Sequence, residues 1–162
     1  MVRSVRWAAV VVIAVCAAAN GRPVAAMGSA DPICDALRSF AGSVKAGESK
    51  TFAFRTAWGG GFKGTRDSVL FETRCEDFGH GPGTVVCQAL MKHGSIEFSG
   101  KNPLRAITCL THGFPMKDAS RLNRIDIEIP YGSDEHGSTV AIKFDDDKEV
   151  GGELLSITAV GY

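Results

Sequence analysis

The feature that most restricts the fold is a strict two-residue alternation through the closing third of the chain. Ile125, Ile127, Ile129 and Tyr131 alternate with Arg124, Asp126 and Glu128, so an apolar face lies opposite a charged one. Successive side chains of a strand point to opposite faces, and this pattern describes a strand with one face buried and the other in water. Val140, Ile142 and Phe144 repeat it, as do Leu155, Ile157 and Ala159. With turns over residues 132–137 and 145–152, the three runs predict an antiparallel meander.

Nearer the start, Phe52, Phe54, Thr56 and Trp58 alternate with Ala53, Arg55 and Ala57, and a second run follows at Val69, Phe71, Thr73 and Cys75. These predict a hairpin joined by a glycine-rich loop over residues 59–67. Elsewhere the period is helical. Asp31 followed by Pro32 is a helix start, because the carboxylate caps free amides and proline suits the first helical position. Ile33, Leu37 and Phe40 then share a face, bordered by Cys34 and Ala41, with Gly42 as the stop. Val86, Cys87, Leu90 and Met91 predict a second helix ended by Gly94. Asn102 and Pro103 open a third that carries Leu104, Ile107 and Leu110. The order α-β-β-α-α-β-β-β predicts an α+β fold, a largely antiparallel sheet of about five strands with about three helices on one face.

Residues 1–26 read as a cleaved signal peptide. Arg3 and Arg6 precede an apolar run from Trp7 to Ala19, and small residues follow up to Ala26. The run is shorter than the roughly 20 residues a membrane-spanning helix needs, so cleavage is preferred over an anchor, and no later stretch predicts a membrane span. A lipidated Cys16 is the lesser alternative, because Val15 is bulky for that motif. Residues 27–162 are then expected to form a single α+β domain in the periplasm or outside the cell. The leader holds Arg3, Arg6 and Arg22 and no acid; of 18 basic residues 15 remain, against 18 acidic ones. A mildly acidic chain with scattered cations argues against nucleic acid as a partner.

Of the five cysteines, Cys34, Cys75, Cys87 and Cys109 outlast the leader. In an oxidising compartment they predict two disulfides, in one of three pairings. The preferred pairing joins Cys75 to Cys87, from a strand end into the next helix, and Cys34 to Cys109, from the first helix to the third. Cys109 lies off the Leu104, Ile107 and Leu110 stripe, which counts against the second bridge. Neither a zinc site nor a redox dithiol is expected, since both favour the close CxxC spacing that is absent.

The stretches ICDALRSFAGSVKAGES, CQALMKHGSIEF, NPLRAITCL and GGELLSITAVGY resemble small exported proteins of Gram-negative bacteria that carry no assigned activity. The resemblance spans most of residues 27–162. It implies export and a cysteine framework, and it carries over no catalytic or binding residue.

No motif announces chemistry. His80, His93, His112 and His136 each precede glycine, which suits helix ends and turns better than a converged metal site. Asp145, Asp146, Asp147, Glu149 and Glu153 suggest calcium, but Val150 stands where an EF-hand loop needs glycine and Ser156 where it needs a bidentate acid. A solvated hairpin turn is preferred. In GGGFKGT, Lys63 precedes Gly64, the reverse of a phosphate loop, so a mobile loop tipped by Phe62 is expected. No cofactor is expected.

Exposed aromatics on loops can anchor a partner, and Trp58, Phe62 and Phe114 are the candidates, with His80 beside them. For Trp58 a place in the core is preferred, whereas for Phe62 folding down onto the domain stands level with exposure. The expected function is a small exported, non-catalytic, disulfide-stabilised protein that binds another protein or an envelope component, inhibitor-like or immunity-like. The alternatives are an envelope hydrolase with a dispersed His and acid set centred on His80, and a structural envelope accessory. A pocket joining His80 to a carboxylate and a Ser or Thr would favour the hydrolase; a flat face bearing aromatics would favour the binder.

Overall fold

The computed structural model describes residues 31–111 and 123–162. The proposed leader, with Cys16, and the segment holding His112, Phe114 and Met116 lie outside the described residues. No described helix is long and apolar enough to cross a membrane.

The described chain opens with α1 (Pro32–Gly42), started as the sequence predicts. Asp31 Oδ1 accepts from the amides of Ile33 (3.0 Å) and Cys34 (3.4 Å), and Pro32 occupies the first turn. Such a cap contributes about 1 kcal/mol. Ile33, Ala36, Leu37, Phe40 and Ala41 form the buried stripe. There follow β1 (Ser49–Trp58), β2 (Phe71–Glu76), α2 (Gly81–His93), α3 (Lys101–Leu110), β3 (Ile125–Gly132), β4 (Gly137–Asp146) and β5 (Glu153–Gly161), which is the expected order.

The strands form one sheet in the order β2-β1-β5-β4-β3, antiparallel at every pairing. Register follows from the alternation: Phe52 pairs with Ile157, and Ile157 with Ile142, so apolar residues align across three strands on one face. A slip of one residue would turn every one of them to water. All three helices join this face in a single buried cluster, in which the Phe40 ring meets Phe52 edge-on at 5.0 Å.

Both predicted disulfides are present. Cys34 and Cys109 bridge α1 to α3 (Cα–Cα 5.0 Å), and Cys75 and Cys87 bridge β2 to α2 (5.5 Å). Cys109 escapes the helical-stripe objection because α3 is buried on more than one side. Leu104 and Ile107 are buried in it, and so are Asn102, Ala106 and Cys109, the last of these turned to α1.

Three local expectations are corrected. Strand β2 starts at Phe71 instead of Val69, which lengthens the loop to residues 59–70. Asn102 does not cap α3. Its amide oxygen accepts from the Ser95 amide (2.8 Å) and its NH2 donates to the Ser95 carbonyl (2.7 Å), closing the loop between α2 and α3, and α3 begins earlier, at Lys101 after Gly100. Gly94 ends α2 in an extended rather than a left-handed conformation. Glycine is required there by space, since a Cβ would stand 2.5 Å from the Leu90 carbonyl.

In the loop-entropy treatment the bridge of separation 75 contributes about 4.5 kcal/mol and that of separation 12 about 3 kcal/mol. Urea unfolding of the two double Cys→Ser variants should therefore show the larger loss for Cys34/Cys109. Equal losses, or the reverse order, would contradict this reading.

Candidate functional site

One end of the sheet is uncovered. Phe52 and Phe54 of β1 lie buried beneath the helices and Thr56 after them is buried too, but Trp58, next on the same face, is 48% exposed. Gly59 turns the chain away there in the left-handed region (φ 77°), its amide donating to the Leu70 carbonyl (2.9 Å). The register then places Phe71 opposite Trp58, and their rings stack at 6.4 Å with 15° between planes. Phe71 is also 48% exposed. A stacked pair gains about 0.5–1.5 kcal/mol beyond its area, so the two rings form a fixed ledge.

Beside the ledge runs an open groove of about 540 Å³, floored by Thr56 and Gly152 and walled by Glu97, Asp146, Asp147 and Glu153. Among the described residues, four carboxylates line it and no basic side chain does. They reach it from distant parts of the chain. Glu97 comes on the loop that follows α2, the others on the β4–β5 turn, and the two pieces are joined where the buried Ser99 hydroxyl donates to Glu153.

Asp147 holds the turn. Its Oδ1 accepts from the amides of Glu149 (2.9 Å) and Val150 (3.0 Å), and its Oδ2 from Arg55 Nε (2.8 Å). Burial pushes this carboxyl up, but the Val150 amide, the Arg55 guanidinium and the Glu149 amide together hold it below the usual carboxylate value. Gly151 and Gly152 complete the turn with φ of 81° and 77°; at Gly152 a Cβ would also strike the Thr56 carbonyl. The expected solvated turn is thus built around one buried acid, and Arg55 occupies the oxygen a cation would want. Glu97 and Asp146 remain exposed.

The loop expected to be mobile is fastened to this turn. Lys63 donates from its amide to the Val150 carbonyl (2.6 Å) and from Nζ to the Lys148 carbonyl (2.6 Å), while Glu72 accepts from the Phe62 amide (2.9 Å) and the Thr65 hydroxyl (2.6 Å). Phe62 is consequently 3% exposed, beneath the Arg74 guanidinium at 5.2 Å. With Ala53 and Ala57 it is buried outside the helix-side cluster. It is therefore no exposed anchor, and the expectation for Trp58 is reversed as well: it stands in water, not in the core. Phe114 lies outside the described residues.

His80 precedes α2 at the N-cap position without a side-chain cap bond. Asp77 and Thr84 are its neighbours, but the Thr84 hydroxyl donates to the Asp77 carboxylate (2.5 Å) and approaches the His80 backbone carbonyl (3.2 Å). That bond and the Gly79 amide hold the Asp77 carboxyl below its usual value. This is a turn tied to a helix start, with the hydroxyl bonded to the carboxylate. Asp31, Cys34 and Cys109 bring three potential metal-ligating atoms within 4.8 Å, but both sulfurs are in the disulfide and Arg105 holds the carboxylate.

Phe71, Glu97 and Glu153 are the site residues that sequence reasoning missed as a site. The alternation placed Phe71 on the correct face, and Glu153 was noted in the acidic run; nothing local joins either to Glu97. The chain matches no protein-family model, curated protein or solved structure with which it was compared.

Trp7 and Trp58 are the only tryptophans, so a chain without residues 1–26 reports Trp58 alone. Its emission should be red-shifted as in water and quenched better by caesium than by iodide, because the carboxylates draw cations and repel anions. Blue-shifted emission or stronger iodide quenching would contradict the site. For Asp147 the folded value lies below the unfolded value of about 3.9, so its stabilisation is full above that pH and is lost as pH falls through the folded value. Asp147→Asn should cost about 1–3 kcal/mol at neutral pH, and the gap to wild type should narrow on acidification below about pH 4. A gap independent of pH would be contrary.

Proposed function

We propose that the chain is an exported, non-catalytic protein that binds a partner protein through the Trp58–Phe71 ledge and the acidic groove beside it. The single observation that carries this reading is the stacked, half-exposed aromatic pair at a sheet end otherwise ringed by carboxylates. Exposed Trp beside acids is the chemistry of a cation receptor: an Arg or Lys side chain gains a ring face and a counter-ion together. The partner is therefore a protein presenting a basic segment.

Export is supported by the leader pattern and by two disulfides of the kind that persist in oxidising compartments. A binder also profits from rigidity. The ledge sits on a strand whose neighbour is bridged to α2, so little ordering entropy remains to oppose association. The hydrolase reading has no comparable support, because the Thr84 hydroxyl, which approaches the His80 backbone, is committed to Asp77.

The test is co-purification from the native periplasm with wild type, Trp58→Ala and Glu97→Gln/Asp146→Asn. A stoichiometric partner should be held by wild type and weakened roughly 30-fold or more by Trp58→Ala, the factor for a hot-spot loss of about 2 kcal/mol. The charge variant should lower the association rate and its salt dependence. A partner held equally by all three proteins, or none in any, would overturn the proposal.

A further inference from the structure

The opposite end of the sheet holds a second cleft that the partner reading does not use. It lies between the exit of α1, the β3–β4 hairpin and the end of β5, and encloses about 400 Å³, within the range of small-ligand sites. Three contacts fix its walls. The Ser138 hydroxyl donates to the Ala41 carbonyl (2.9 Å), Ala46 bridges to Gly161, and the Tyr162 amide donates to the Gly137 carbonyl (3.1 Å).

Two phenol rings face this space, and each is seated over a glycine. A Cβ on Gly137 would stand 2.5 Å from Tyr162 Oη, and one on Gly42 would stand 3.8 Å from Tyr131 Cε1. The absence of side chains there is what admits the Tyr162 ring. Around the rings stand Lys45, Glu135 and His136. Lys45 only donates, ionised Glu135 only accepts, and a neutral imidazole does one of each.

This set selects among ligand classes. An anion meets Glu135 and a cation meets Lys45, so neither is favoured outright. A purely apolar guest strips water from three polar groups and gives nothing back. A sugar ring answers both halves of the lining, with an apolar C–H face for the phenols and hydroxyls that donate and accept. We propose that this cleft is a saccharide site, taking an uncharged sugar ring of an oligosaccharide or glycan chain. The inference is independent of the Trp58 ledge.

The experiment is calorimetric titration of the oxidised protein with two uncharged probes, a tetramer of β-1,4-linked N-acetylglucosamine and a tetramer of α-1,4-linked glucose, and with benzoate as the aromatic competitor. Saturable binding of either tetramer is expected, with the acetamido or the glucose chain indicating which glycan type supplies the ring. Affinity should fall more than tenfold in Tyr162→Ala and in His136→Ala, both exposed positions, and stay unchanged in Trp58→Ala. Binding of neither tetramer, binding of benzoate alone, or sugar binding indifferent to Tyr162 and His136 would overturn the proposal. Loss of sugar binding in Trp58→Ala with Tyr162→Ala unaffected would move the sugar to the ledge and overturn it equally.

Discussion

The tie between α1 and α3 is the constraint from which the arrangement of the helical layer follows. It is made three times in a small space. Cys34 is bridged to Cys109, Arg105 grips both Asp31 carboxylate oxygens with Nε and Nη2 at 2.5 Å each, and Arg38 Nε donates to the Cys109 carbonyl at 3.0 Å. Asp31 meanwhile caps α1, and Arg105 reaches the His93 carbonyl at the end of α2 (3.3 Å), so all three helices meet at one ion pair. Burial raises the Asp31 carboxyl, but Arg105 and the capped amides more than offset this and hold it below the usual value. Helices of 10 to 13 residues are too short to persist alone in water. Cross-tied, they present one apolar surface to the sheet.

That surface is shorter than the sheet, and both candidate sites are consequences. The helices cover Phe52 and Phe54 in β1, Ile142 and Phe144 in β4, and Leu155 and Ile157 in β5. Beyond this cover β1 still has Trp58 to place, and β2 sets Phe71 against it. At the other end α1 exits over the β3–β4 hairpin and leaves the tyrosine-walled cleft. The helix-free face is held differently: Arg55 lies between Asp147 and Glu76, and the two loops at its end are laced together, with Phe62 buried.

What could be read in the sequence was what depends on neighbours a few residues away. Asp31 and Pro32 declare a helix start because a cap acts within one turn, and the Ile125 to Tyr131 alternation declares a half-buried strand. The Cys34–Cys109 bridge needed only the identity of the two elements, although the helical wheel spoke against it; a wheel assumes one buried face, and α3 has more. Trp58 and Asn102 were misjudged, and Phe62 left open, for a common reason. Phe62 is buried on a loop that Lys63 fastens to a turn 85 residues away in the chain, Trp58 is exposed by where the helical cover stops, and Asn102 spends its amide on Ser95. The acidic groove was illegible because the loop carrying Glu97 is brought to Glu153, far away in the chain, by a bond from Ser99.

Hydrogen exchange followed by mass spectrometry, on the oxidised protein and on a Cys34→Ser/Cys109→Ser variant, tests the central tie most directly. If this tie holds the layer together, the variant loses protection first in α1 and α3, while the β4 and β5 amides at the centre of the sheet stay protected until global unfolding. Loss that begins in the sheet, or helices that keep their protection without the bridge, would contradict the account.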